Sequence, residues 1–273
     1  GLVLRFGELF LKGKNRFLFE QALEKNVHTA LKGRDDISVI RKHGRIFVTG
    51  GCDEDLVRRL QLVFGIASLS RVTFANKDID EITRIAVETA KERDPNVKTF
   101  RITARRADKT FPMISSEIGR HVGSAVALDT ALGVDLSFPD LSIGVEVGID
   151  WTFVWSKDIP GAGGLPVGTS GTGLLLLSGG IDSPAAGHLM QKRGLSLDGV
   201  YFHSFPYTGD GAKDKAVRLA EILAKRQEKF NLHIVPFTKV QETFRDGADP
   251  KLLVILYRRA MVRIASLLAE KHK

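Results

Sequence analysis

The chain reads as an α+β N-terminal half followed by an α/β domain built on a parallel sheet. Three observations predict this. Residues 161–173 (GAGGLPVGTSGTG) are too rich in Gly and Pro for a helix or a central strand, and they divide the sequence. After them, apolar strand-like runs alternate strictly with helical ones, the signature of a parallel doubly wound sheet. Before them, short strands and helices mix without that order. A length of 273 residues suits roughly two domains.

Each element has its own signal. In the first half, Leu2–Phe6 reads as a strand and Asn15–Leu31 as an amphipathic helix. Ile37–Arg41 and Arg45–Thr49 read as a hairpin turning at His43-Gly44. Asp53 caps a helix running through Val63, with acids in its first turn. Leu69–Phe74 is a strand, and Ile79–Lys91 a helix stopped near Pro95. Thr99–Arg105 alternates apolar and polar residues as a half-buried strand does, and Ser115–Leu128 is helical. Leu141–Val147 and Thr152–Trp155 close the half as strands. In the second half the strands are Leu174–Leu177, Leu197–Phe202 and Leu232–Pro236. The helices are Pro184–Arg193, Asp210–Lys229 and Leu252–Lys271.

Bulk properties narrow the function classes. With 43% hydrophobic and 26% charged residues the composition is that of an ordinary globular protein. No apolar run approaches the ~20 residues of a membrane span, and no signal-peptide pattern opens the chain. Cys52 is the only cysteine, which excludes intramolecular disulfides and multi-cysteine metal sites and suits a reducing cytoplasm. Its place just before the Asp53 helix reads as a small buried hydrophobe. The histidines show no metal-binding spacing, so no protein metal site is expected; His188 and His233 read as structural, and His203 stays open. The net charge of +8 permits a polyanionic partner. Residues 1–160 carry 24 Lys/Arg against 22 Asp/Glu, and residues 161–273 carry 16 against 10. A nucleic-acid surface in the first half therefore depends on local clustering.

Two such clusters exist. Lys12, Lys14, Asn15 and Arg16 surround Gly13 at a helix start, where cations oppose the helix dipole and so suggest an anionic partner. Arg101, Arg105, Arg106 and Lys109 precede Phe111, a set suited to paired phosphates and one stacked base of a single-stranded end.

The stretch Leu174–Ser183 (LLLLSGGIDS) carries the chemistry. A buried strand runs into Ser178-Gly179-Gly180-Ile181-Asp182-Ser183, and Pro184 suits the first helical turn. The two glycines are expected at positive φ, letting a phosphate approach loop N–H groups and the positive end of the helix. Asp182 suits either a helix cap or a metal-orienting carboxylate. GxxxxGK[ST] is absent, which excludes an ordinary P-loop NTPase.

SGGxDS resembles the loop of the PP-loop ATP pyrophosphatases. Across nearly its whole length the chain resembles the tRNA 4-thiouridine synthetases. The matching segments are Gly7-Glu8 with Lys12–Arg16, Phe100–Thr103, Arg105-Arg106 and Lys109–Pro112, Gly161–Gly168, Leu177–Ser183, Phe202-His203-Ser204, Val235–Thr238 and Arg258-Arg259. The resemblance implies a ferredoxin-like domain (1–52), a THUMP domain binding the tRNA acceptor end (53–160), a linker (161–173) and a PP-loop adenylation domain (174–273). It implies ATP, with Mg²⁺, bound by Leu176, Leu177, Ser178, Gly179, Gly180, Ile181, Asp182 and Ser183. Tyr201 and Phe202 would meet the adenosine, and Arg258 would stabilise phosphate charge. Asp182, Ser183 and Arg258 are then the candidate catalytic residues. Tyr201 departs mildly from the histidine frequent in such families. The implied reaction adenylates uridine eight of tRNA; sulfur from a cysteine desulfurase or other persulfide donor then replaces AMP. A sulfur-transfer role in thiamine thiazole synthesis goes with the same family. The family's late cysteine, Gly-Glu-Ser loop and Gln segment have no counterpart in these residues, so the adenylation domain is expected to be incomplete. Only three parallel strands are predicted, and a second copy of the chain could complete such a sheet as a homodimer.

Two other classes stay open on the residues alone. One is a PP-loop ligase acting on a small molecule, against which the two basic clusters argue. The other is a non-catalytic RNA-binding fragment, which ATP binding would exclude.

Overall fold

The computed structural model describes residues 1–272, apart from the side chains of residues 10–12. Lys12 of the first basic cluster thus lies outside the described residues. The elements begin β1 (Leu2–Phe6), α1 (Arg16–Ala30), β2 (Ser38–Lys42), β3 (Arg45–Thr49), α2 (Glu54–Gln61), β4 (Ile66–Arg71) and β5 (Thr73–Ala75). They continue α3 (Ile79–Lys91), β6 (Thr99–Arg106), α4 (Ser115–Thr130), β7 (Gly133–Val134), β8 (Leu141–Val147), β9 (Thr152–Trp155) and β10 (Ile159–Pro160). Last come β11 (Thr172–Leu176), α5 (Asp182–Lys192), β12 (Ser196–His203), α6 (Asp210–Ala224), β13 (Leu232–Pro236), α7 (Thr238–Gly247) and α8 (Leu253–Lys271).

Residue contacts divide the chain into two units. One holds residues 1–5, 34–57 and 68–160; the other holds 6–33, 58–67 and 161–273. In the first unit, one sheet has the order β10-β4-β1-β3-β2 and another β5-β9-β8-β6-β7. The predicted strand Leu69–Phe74 is in fact two strands, β4 and β5, assigned to these different sheets on either side of Val72. Phe47, Phe74, Phe153 and Trp151 form one aromatic cluster that joins the sheets, with Trp151 stacked on Phe47 at 5.4 Å. A second core forms where Ile82, Ile85 and Ala86 of α3 and Ile118, Val122 and Val126 of α4 meet Phe100, Ile143 and Val145.

In the second unit β11, β12 and β13 are parallel and in that order. Leu175, Leu177, Leu219, Leu223, Phe230 and Leu232 pack together between sheet and helix. Gly187 lets α5 approach: a Cβ there would lie 2.8 Å from Leu175 Cδ2. Two features differ from expectation. Helix α7 fills the segment before α8, and α6 stops at Ala224. The glycine-rich linker is also not free. Gly163 N donates to Ile66 O at 2.8 Å, Leu165 N to Lys192 O at 2.9 Å, and Gly168 N to Gly194 O at 2.8 Å. Leu165 and Val167 are buried. Glycine is needed because the chain crosses other backbone closely: Gly164 has φ +75°, and a Cβ would lie 2.3 Å from Lys192 O.

Candidate nucleotide and RNA sites

The Ser178–Ser183 loop sits where a parallel sheet places ligands, at the carboxyl ends of its strands. Leu176 ends β11 opposite Val200 of β12, and Leu177 N donates to Val200 O at 2.9 Å. The loop beyond is fastened by its own serines. Ser178 N donates to Ser183 Oγ at 2.9 Å, the two hydroxyls lie 3.1 Å apart, and Gly180 N donates to Ser178 Oγ at 3.3 Å. Ser183 therefore shapes the loop. Helix α5 starts at Asp182, with Ile181 in the capping position and no side-chain cap. This corrects the reading of Asp182 as a cap: among the described residues its exposed carboxylate has no hydrogen-bond partner. The first-turn N–H groups of α5 face outward with the positive end of the dipole. Gly179 and Gly180 are not at positive φ, contrary to expectation. Their value lies in the missing side chains, which leave the loop backbone uncovered.

One neighbour was not read from the sequence. The stem of Lys215, in the first turns of α6, lies against the loop: a Cβ on Gly179 would be 3.5 Å from Lys215 Cδ. Lys215 is exposed and forms no ion pair among the described residues. Nothing in a one-dimensional pattern marks a lysine 36 positions after Gly179 as its neighbour.

Tyr201, Phe202 and His203 end β12 beside the loop strand. Tyr201 is buried. Phe202 is half-buried, edge-on to Phe237 at 5.2 Å, and Phe237 in turn meets Tyr257 of α8 at 6.3 Å. Arg258 follows Tyr257 and is exposed; no contact joins it to the loop among the described residues. His203 Nδ1 is buried without a hydrogen-bond partner, so the end of β12 holds a polar atom awaiting one.

The basic cluster of the first unit is reorganised by the fold. Arg101 and Arg105 lie on the face of β6 opposite Phe100, Ile102 and Ala104, while Arg106 lies on the other face. Arg101 donates to Ser142 Oγ at 3.0 Å, and Arg106 to Phe111 O at 3.1 Å. Arg105 and Lys109 are exposed, without such partners among the described residues. Phe111 is 6% exposed within the α3–α4 core, so it cannot stack a base. The exposed aromatic is instead Phe138, 88% exposed. Its loop is fixed by Asp135, which accepts from Ser137 N and Phe138 N, and Arg101 reaches Leu136 O at 3.4 Å. In the other cluster Lys14 and Asn15 are exposed, and Arg16 pairs with Glu20 at 2.6 Å, which offsets its clash with the α1 dipole. Cys52 is exposed, not buried as expected.

Three family models match in chain order: ThiI ferredoxin-like domain over residues 2–70, THUMP domain over 76–156, and Thiamine biosynthesis protein (ThiI) over 168–273. A "Probable tRNA sulfurtransferase" of Thermoanaerobacter sp. (strain X514) is 42% identical over 275 residues, covering 99% of this chain and 71% of that protein. The chain belongs to the tRNA sulfurtransferase family. A further member, from Staphylococcus aureus (strain Newman), is 41% identical over 99% of this chain and 67% of its own length. Among solved structures, a 4-thiouridine synthetase–RNA complex with bound ATP matches with TM-score 0.90 and 35% identity, covering 99% of this chain and 70% of that one. PH1313 from Pyrococcus horikoshii Ot3 matches with TM-score 0.76 and 30% identity, covering 90% of this chain and 81% of that one. The ferredoxin-like, THUMP and PP-loop assignment of this tRNA sulfurtransferase family member therefore holds, and the chain is that of an enzyme. No helix among the described residues is long and apolar enough to cross a membrane.

Proposed function

We propose that the chain binds ATP on the Ser178–Ser183 loop and adenylates uridine eight of tRNA, with residues 76–156 engaging the acceptor end. The observation that carries this is the serine-fastened loop at the end of β11, opening the N-terminus of α5 with Lys215 beside it. The ATP-bound 4-thiouridine synthetase with which the chain shares its fold supports the reading. In the reaction the uridine oxygen forms a bond to the α-phosphorus and the bond to the β-phosphate oxygen breaks, releasing pyrophosphate. Charge builds on the leaving group, where preoriented N–H dipoles and a cation act most strongly. The first turn of α5 supplies the dipoles and Lys215 the cation. The unpartnered Nδ1 of His203 and the half-buried ring of Phe202, both at the end of β12, support assigning the adenosine to that strand end.

Magnesium fits the donor set in one way. No group of three His, Cys, Asp or Glu side chains could cage an ion among the described residues. Asp182 alone is the arrangement Mg²⁺ uses when substrate phosphates and water complete its shell. The ion would neutralise phosphate charge there. A persulfide from a donor protein then displaces AMP from the activated carbon.

The test is Asp182→Ala, with tRNA-dependent pyrophosphate release and tRNA binding measured on one preparation. Release should fall at least 100-fold, on the order of 3 kcal/mol of barrier, with tRNA affinity within twofold of the parent. Unchanged release removes the loop from the reaction.

A further inference from the structure

A basic cleft lies within the parallel-sheet unit, away from the phosphate loop. A cleft of about 420 Å³ is walled by α1, by the residues around the end of α2, and by the turn after α6. Ala30, Leu62 and Val63 contribute its apolar surface, and Arg59, Lys225 and Arg226 its charge. Among the described residues no acidic side chain lines it. The nearest carboxylate in sequence, Glu228, is held by Lys25 at 2.7 Å.

Arg226 is the anomaly. Its Nε is buried with no hydrogen-bond partner. Its one hydrogen bond among the described residues runs from Nη1 to Ile222 O at 3.3 Å. Its guanidinium lies 5.8 Å from the Phe64 ring, a contact that offsets only part of the lost hydration. Burial lowers its pKa; burial first, and then the charge of Arg226, lowers that of His188 nearby. Arg226 is half-buried, and a guanidinium whose Nε–H is buried without an acceptor or counterion among the described residues is costly unless an anion supplies that acceptor.

The polar neighbours indicate which kind of anion. The Asn26 amide donates to Val167 O at 3.1 Å. The Gln227 amide is spent on Leu197 and Gln191. A site built for a free ion surrounds it with N–H donors; this one offers cations spread over an open apolar surface. We propose that the cleft is a phosphate-oxyanion site that takes a phosphodiester of the RNA backbone, held at Arg226 and Lys225. This rests on the reading of the chain as tRNA-binding.

The experiment uses the full chain. Binding of unmodified tRNA to parent, Arg226→Met, Lys225→Gln and Arg226→Lys is measured as a function of salt. In parallel, inorganic phosphate is titrated against chloride at equal ionic strength while thermal stability is followed. The Met and Gln variants should each flatten the log–log salt dependence by roughly 0.7–0.9 units, one phosphate contact's worth, and Arg226→Lys should restore most of the slope. Melting of each variant without RNA confirms folding, and Lys225→Gln, at an exposed position, keeps the test alive if Arg226→Met unfolds. Parent-like slopes with phosphate still stabilising only the parent would assign the cleft to a free phosphate and overturn the RNA proposal. Parent-like slopes with no phosphate effect overturn the site altogether. A parent that binds no tRNA overturns the underlying reading instead.

Discussion

Asp53 ties two segments of the first unit together. One carboxylate oxygen caps α2 by accepting from Leu56 N at 2.9 Å, and the other pairs with Arg34 at 2.8 Å. The cap was legible from the acids that follow it; the partner, 19 residues upstream, was not. The Arg34 hydrogen bond, then the Leu56 N–H, lower the Asp53 pKa from 3.8 to about 2. A folded pKa below the unfolded one stabilises above the unfolded value, and that contribution is lost as pH falls through the folded value. The window is therefore about pH 4 down to about pH 2. Asn at this position keeps a cap but loses the charge. Asp53→Asn should melt below the parent at pH 7, and the gap should close between pH 4 and pH 2. A gap that stays constant with pH would assign the loss to packing rather than to the ion pair. Phe111 and Phe138 teach the same lesson at a different site. Sequence spacing put the aromatic beside the basic residues; the α3–α4 core took that ring and left another exposed.

At the scale of elements, residues 161–173 decide how the parallel-sheet unit is closed. Their composition predicts an unstructured linker. Instead the segment bonds to residues 65–67 and to the turn after α5. Gly164→Ala tests this. The substitution puts a Cβ into the Lys192 carbonyl and forces a side chain to φ +75°. It should lower unfolding stability by roughly 1–3 kcal/mol, read as a lower urea midpoint at unchanged slope. A parent midpoint would mean that the segment contributes no closure. Helix α7 escaped the sequence reading because no residue of it is buried, so its apolar periodicity carries little information. The loop and α5, in contrast, were visible because four leucines, two glycines and a proline act locally on backbone and solvent.

For the whole molecule, the proposed reaction needs one RNA to engage both units. Arg105 and Lys109 are the exposed cations of the THUMP cluster with no partner among the described residues, and Phe138 is the exposed ring of that domain's loop. Arg105→Ala with Lys109→Ala should weaken tRNA binding and reduce its salt slope by roughly 1–2 units, leaving ATP binding unchanged. RNA lacking its single-stranded 3′ end should likewise be a poorer substrate at sub-saturating concentration, because engaging the end raises the effective concentration of the uridine at the loop. Equal rates with intact and trimmed RNA would remove the acceptor end from the recognition.

The sequence by itself determined the order of domains, the parallel βαβ pattern, the strand–loop–helix at Leu174–Ser183 and the family, because these rest on local backbone preferences and on motifs contiguous in the chain. Only the tertiary structure decided that Lys215 lies on the loop, that Ser183 fastens Ser178, that Phe111 is core, and that Arg226 lines a basic cleft with its Nε buried. Each of these is a meeting of residues distant in sequence or a choice of which face turns inward. Packing settles such choices when apolar surface is buried from several elements at once, and no single segment records the outcome.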